Sequence, residues 1–341
     1  MNFAALAILA VTLGAVRAAD ADAPSRPMSE IAALVDAASP GDVVLVPPGT
    51  YEGNLVLRKA VTLDGAGHAI LDGQDKGTVV DVVADGATIR GFIVRNSGKD
   101  VTSESAGIRA TAARVRIEAN IVEDTLFGID LRESPDAVIC DNRVIGKDLE
   151  QSRRGDGIRL WWSHGALVEN NVVRRSRDMV FWYSENLRVT GNRVSDSRYG
   201  LHFMYSHDTA LEANELAGNS VGVYLMYSNR ISLTRNHMRN NRGASGYGIG
   251  LKDCDDIAII DNEVIANRVG VYIDNSPSSL GSTGLFDSNL IAYNEIGLLA
   301  TPNTHDNVFT RNAFVENEEP AATHGRGRLA GNSFAGERDG N

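Results

Sequence analysis

The sequence predicts an all-β protein: a right-handed parallel β-helix, a solenoid of about 22-residue coils with a short N-terminal capping helix. Three observations carry that prediction. First, Asn recurs: Asn120 and Asn142 lie 22 apart, as do Asn192, Asn214 and Asn236, while Asn171 lies 21 before Asn192. Asn262, Asn289, Asn312 and Asn332 continue the series at 26, 27, 23 and 20. Second, a glycine register runs in parallel through Gly128, Gly157, Gly200, Gly222, Gly248, Gly270 and Gly297, with Asp178 breaking it. Third, apolar residues alternate in twos, as in Leu187-Arg188-Val189 and Ile231-Ser232-Leu233. Period two means strands. The helix-bearing consensus of leucine-rich repeats is missing, and the repeats number eleven or twelve coils.

Composition agrees. The 341 residues are 43% hydrophobic but only 6% aromatic, and 26 of them are Asn, so the chain can bury a large core without being disordered. The net charge of −11, with no Lys/Arg-rich run, excludes a nucleic-acid surface. Two Cys exclude a disulfide scaffold and a thiolate zinc cluster.

In chain order, residues 1–18 read as a cleaved signal peptide. Phe3 to Val16 is an apolar run of h-region length, too short for a membrane span, and Val16-Arg17-Ala18 offers small residues for cleavage. No later segment is apolar enough to span, so the mature protein is expected outside the cytoplasm, in a Gram-negative cell in the periplasm. Residues 19–48 form the N-terminal cap, where Ser29 to Ala38 reads as a helix with Ile31, Leu34 and Val35 on one side. Residues 49–334 form the β-helix and 335–341 a short polar tail. The Asn column belongs at a turn, where Asn tolerates left-handed backbone and its amide can bond up and down the stack. The Gly register marks a second corner.

Counting from each Gly, the first and third following residues are apolar and point inward, as in Leu201 and Phe203 or Val223 and Leu225. The second and fourth point outward. The fourth slot holds Trp161, Trp182, Met204, Met226, Lys252 and Asp274; the second holds Arg159, Val180, His202, Tyr224, Gly250 and Tyr272. An outward Trp-Trp-Met-Met column on adjacent coils is a binding surface rather than a solvated face. Insertions around Lys147 to Arg154 and Gly243 to Gly246 emerge on one edge and bracket it; a third, near Pro277 to Gly284, leaves elsewhere.

Met204 and Met226 stack one coil apart, with His202 on the same face. Thioether and imidazole together suit Cu(I) better than Zn, Mg or Ca. Trp182 can cover a bound ion by a cation–π contact, and His207 at the neighbouring corner is a candidate fourth donor. The alternative for this column is a hydrophobic patch that docks a partner through Trp161, Trp182 and Tyr224. Cys140 and Cys254 fall five coils apart and are expected as two unpaired thiols. A second function class is a β-helix enzyme, a lyase, epimerase or hydrolase acting on an acidic polysaccharide, drawing on Asp130, Arg153, Arg154, Asp156, Arg159 and Asp178 with Trp161 and Trp182 stacking on sugars. Against it, no pair of carboxylates recurs in adjacent coils at acid/base spacing.

Long strings carry a resemblance. Gly155-Asp156-Gly157-Ile158-Arg159-Leu160-Trp161, Arg177-Asp178-Met179-Val180-Phe181-Trp182-Tyr183-Ser184, Tyr199-Gly200-Leu201-His202-Phe203-Met204-Tyr205-Ser206 and Val221-Gly222-Val223-Tyr224-Leu225-Met226-Tyr227-Ser228 resemble the NosD family, and the likeness runs from about Pro40 to about Asn332. The resemblance implies a periplasmic, non-enzymatic accessory protein that binds Cu(I) transiently during copper-cluster assembly for nitrous oxide reductase. The implied partners are the ATPase and membrane subunits of an ABC transporter, a copper-delivering lipoprotein and nitrous oxide reductase itself. It also implies an aromatic, Asp-rich continuation, whereas here Gly331-Asn332-Ser333-Phe334 is followed by Ala335 to Asn341.

Overall fold

The computed structural model describes residues 25–334 apart from 303 and 326. The expected signal peptide and polar tail lie outside the described residues. The architecture is a parallel β-solenoid of about 13 turns of about 23 residues. That is slightly more than the eleven or twelve coils expected: no Asn of the column precedes Asn120, and Gly107, which stands over Gly128, lies outside the register as read from the sequence. A single nine-residue helix, Ser29–Ala37, covers the N-terminal end with Ile31 and Val35 buried.

Each coil contributes one strand to a twelve-stranded face, which runs from Leu55–Leu57 to Glu319–Thr323. The rest of each coil supplies strands to a second sheet of 24, bent at the Asn corner, and every pairing is parallel. The core is one continuous column of aliphatic and aromatic side chains from Met28 to Phe309, with Phe181 stacked on Phe203 at 4.4 Å and Phe286 on Phe309 at 4.5 Å. Coil-on-coil repetition thus buries each inward residue on its own counterparts above and below.

The Asn column forms the expected ladder, with a different backbone assignment. Asn192 Nδ2 donates to Asn214 Oδ1 at 3.0 Å and to the Val168 carbonyl at 2.9 Å; Asn214 repeats the pattern on Asn236 and Val189. These Asn are fully buried and point inward. The left-handed residue is the one before each: Ala119, Asp141, Asn170, Gly191, Ala213, Arg235 and Asp261 all have positive φ. Asn therefore serves by its amide and its neighbour makes the turn. Asn332 leaves the column: it accepts from Asn307, which pairs with Gly284 at the start of a different strand. A second ladder, unmarked in the sequence reading, joins Asn219, Asn241, Asn267, Asn294 and Asn317.

The Gly register proves to be a matter of space. A Cβ on Gly200 or Gly222 would meet the carbonyl oxygen of the following coil's glycine at 2.5 Å, a distance no real Cβ tolerates.

Candidate metal centre

Strand register places the outward column as the alternation predicts. Trp161 pairs with Trp182, Trp182 with Met204, Met204 with Met226, Met226 with Lys252 and Lys252 with Asp274. Neighbouring members stand about 4.8 Å apart along the axis. Trp161 is 42% exposed, and Trp182, Met204 and Met226 are half-buried. At the far end Lys252 is bonded to Asp274 at 3.1 Å, which closes the column with a charge pair.

The second outward column brings His202 beside the methionines. Its cross-strand neighbours are Val180 and Tyr224. His202 is 5% exposed, its Nδ1 lies 3.2 Å from Asp178 Oδ2, and its Nε2 is buried without a hydrogen-bond partner. Trp182 and Tyr199 meet the ring edge-on at 5.7 and 4.9 Å. Trp182 Nε1 is also buried and unpartnered. Buried polar atoms are ordinarily satisfied by protein or by water, so these two nitrogens stand out on the face that carries the thioethers. Tyr224 lies across Gly250, whose missing side chain leaves room for the ring, and burial pushes its hydroxyl pKa up.

His207 sits elsewhere. It follows the left-handed Tyr205 and the buried Ser206, beyond the corner, and its Nδ1 accepts the Asn229 backbone N–H at 3.1 Å. The structure joins Met204, Met226 and His202 on one face and leaves His207 off it.

Asp178 owes its position to a register shift. Its coil is the short one, 21 residues from Asn171 to Asn192. Toward the preceding coil Asp178 takes the glycine slot, its carbonyl accepting from Gly157 N–H. Toward the following coil it pairs with Tyr199 rather than Gly200, across a bulge. Bulges re-aim side chains. Here the carboxylate turns to Arg198, whose Nε donates at 2.9 Å and whose Nη2 donates as well, to the Tyr199 N–H at 3.1 Å and to His202. Burial works to raise the Asp178 pKa, but the His202 and Arg198 hydrogen bonds outweigh it and hold the value below the carboxylate range. Asp156, in the preceding coil, is buried with Oδ1 unpartnered. Burial first, and the Asp178 charge second, push its pKa up to about 7. Asp156 and Asp178 thus feel each other's charge across adjacent coils.

The same face changes character toward the N-terminus. Asp130, fully buried, accepts from Arg159 Nε at 2.8 Å, Arg132 Nε at 3.0 Å and Arg109 Nε at 3.1 Å. Glu104, on a loop missed in the sequence reading, accepts from Arg159 Nη1 at 2.9 Å and also from Arg132. Burial raises the Asp130 pKa, but Arg159 and Arg132 overcome it and the carboxyl stays ionised well below its usual range. Of the bracketing insertions, the first folds onto this end. Lys147 Nζ reaches Asp75 at 2.9 Å and Leu149 packs on Ala106, Leu126 and Phe127.

An aromatic ridge flanks the methionines, also unpredicted. Trp162, Tyr183, Tyr205 and Tyr227 each sit at a left-handed corner next to a column residue and stack ring on ring at 5.0, 5.2 and 5.0 Å. Cys140 and Cys254 are both unpaired, with burial pushing their thiols up to about 11 and about 12. Neither is an activated ligand. Among the described residues no three His, Cys, Asp or Glu cluster as a metal site, which leaves the thioethers and His202 as the soft donor set.

Comparison with known proteins follows the geometry. Residues 140–338, more than half of the chain, match the family described as periplasmic copper-binding protein (NosD). A probable ABC transporter binding protein NosD from Pseudomonas aeruginosa is 34% identical over 134 residues, covering 38% of this chain and 31% of that protein. Its namesake from Stutzerimonas stutzeri is 27% identical over 136 residues, covering 39% and 31%. The matched stretch therefore spans about a third of these relatives. Among solved structures, the A-module of the Azotobacter vinelandii mannuronan C-5 epimerase AlgE6 superposes with a TM-score of 0.65 at 16% identity, covering 91% of this chain and 94% of that one. A Yersinia enterocolitica family 28 exopolygalacturonase gives 0.61 at 12% identity, covering 88% and 74%. At such identities the likeness is one of fold.

Proposed function

Since this chain belongs to the NosD family, we propose that it is a periplasmic, non-catalytic copper-transfer subunit that holds Cu(I) transiently on Met204, Met226 and His202. The observation that carries this reading is the buried, unpartnered Nε2 of His202 beside two thioethers paired in register. Such a donor set is soft and favours a cuprous ion over hard cations. Trp182 and Tyr224 wall the ion on either side, and Trp182 offers its ring as a cation–π cover. Copper here is cargo. The half-buried column leaves it open to exchange, while the buried imidazole gives it one firm attachment. His207 stays outside the ligand set, since its Nδ1 already accepts a backbone N–H.

The partners in this reading are the ATPase and membrane subunits of an ABC transporter, a copper-delivering lipoprotein and nitrous oxide reductase, for whose copper cluster the ion is bound. Among the described residues no helix is long and apolar enough to cross a membrane. The exposed ring edges of Trp161, Trp162 and Tyr205, flanking the methionines, form the docking surface through which copper enters or leaves. Of the arginines on this face, Arg109, Arg132 and Arg159 are all bonded to Asp130 and so are not free to hold an acidic sugar.

The test is a Cu(I) competition titration against a chromogenic chelator, on the mature protein and on Met204→Ala/Met226→Ala. Near-stoichiometric binding that the double variant loses supports the reading. Binding that survives moves the site, with Cys140 and the remaining His next in line. No binding by the wild type overturns it and leaves the column as a docking patch.

A further inference from the structure

We propose that Asp178 is a positioning residue for the metal centre: delivered by the bulge and clamped by Arg198, it fixes His202 in the tautomer that leaves Nε2 bare on the face that carries the methionines. The inference rests on the copper reading above and adds the device that prepares the ligand before the ion arrives.

An ionised carboxylate only accepts. Asp178 Oδ2, 3.2 Å from His202 Nδ1, therefore requires the proton on Nδ1 and leaves Nε2 as a bare acceptor. That Nε2 finds no protein donor, although it is buried. A neutral imidazole free to choose would place its proton toward solvent or share it between nitrogens. Here the choice is made by a group that is itself immobilised. Asp178 is fully buried and holds Arg198 through both oxygens and the Tyr199 N–H through Oδ1. Arg198 in turn lies over the Tyr199 ring at 4.4 Å. Trp182 and Tyr199 fix the imidazole plane from two sides. Every degree of freedom of the His202 ring is thus set by a neighbour. A carboxylate behind a metal-binding histidine commonly sets ring orientation and basicity, and its loss costs about 10–100-fold in metal affinity.

The coil's missing residue explains why the carboxylate is there. With the usual Gly in that slot the following coil would pack against bare backbone, as Gly222 does on Gly248, and His202 would have no partner for Nδ1.

Two measurements test this. Long-range 1H–15N correlation on the apo protein, with the His202 signals assigned by their loss in His202→Gln, reads the tautomer directly. Wild type is expected as the Nδ1–H form, and Asp178→Asn, whose amide can donate to Nδ1, as a mixture or the Nε2–H form. Cu(I) competition should show Asp178→Asn weakened about 10–100-fold, with Arg198→Met, a less buried change, weakened in the same direction but less. A wild-type Nε2–H tautomer overturns the inference whatever the copper result. An Asp178→Asn protein that folds and binds Cu(I) as wild type does, while Met204→Ala/Met226→Ala does not bind, overturns the inference and leaves the copper reading standing. A wild type without Cu(I) binding overturns the copper reading instead. Should Asp178→Asn fail to fold, unchanged tautomer and affinity in Arg198→Met overturn the clamp.

Discussion

Two stretches of one sheet face share a backbone and a register yet do opposite things. From Arg109 to Arg159 the outward residues are charged and pair with one another: buried Asp130 receives three arginines and half-buried Glu104 two. From Trp182 to Met226 they are soft and aromatic, and buried His202 Nε2 and Trp182 Nε1 are left open. A buried charge network is tolerable only when fully paired. An orphaned buried nitrogen persists where a ligand can complete it. The contrast separates a part of the face that pairs its own charges from the part we propose as the copper site, and it does so without any change of fold.

The comparison can be broken first at Asp130. Asp130→Ala strands Arg109, Arg132 and Arg159, and should cost about 3–5 kcal/mol in urea unfolding. Cu(I) affinity of the folded fraction should not move; a variant that keeps its stability but loses copper would invert the assignment of the two regions. The converse change is Met204→Leu/Met226→Leu. Met-to-Leu swaps conserve volume and should cost less than about 1.5 kcal/mol in stability. Cu(I) affinity should nevertheless fall at least about tenfold, or about 1.4 kcal/mol. Equal copper binding would mean that the column acts by shape and not by sulfur.

Asp156 sharpens the boundary, since it lies between the regions. Its pKa is raised to about 7 by burial and by Asp178. An acid with a raised folded value is harmless while both states are protonated, and its penalty grows as pH climbs from the unfolded value through the folded one. Asp156→Asn should therefore match wild type near pH 4 and exceed it at pH 8 by on the order of 1 kcal/mol. Denaturant titrations at the two pH values decide it, and a difference that is larger at low pH would reverse the sign. The smallest effect is expected at the ridge. Trp162→Ala removes one stacked ring and should lower stability by about 0.5–1.5 kcal/mol. Apo copper affinity should be unaffected, whereas transfer from a partner should slow; unchanged transfer would take the ridge out of the docking surface.

Much of this molecule is legible in its residues. The Asn and Gly repeats and the twofold alternation suffice for the solenoid, because stacking makes each coil meet its own pattern again, and a local period becomes a three-dimensional register. The same logic places Trp161, Trp182, Met204 and Met226 in one column, and the strand pairs agree residue by residue. What the sequence does not disclose is whatever breaks the repeat. The first coils lack the Asn column and escape the count. Asn332 keeps the spacing yet belongs to another corner. Glu104 reaches Arg159 across 55 residues from an irregular loop.

By itself, then, the sequence determined the coil, the inward and outward sides, the soft column and the family, since each is a periodic or contiguous property of the chain. Only the tertiary structure decided which atoms in that column are finished and which are open. A 21-residue coil followed by one of 22 must absorb one missing residue somewhere, and packing against the coils on either side determines where. The bulge fell at Asp178, turning a carboxylate onto His202, and no pattern read along the chain could have distinguished that outcome from a shortened turn.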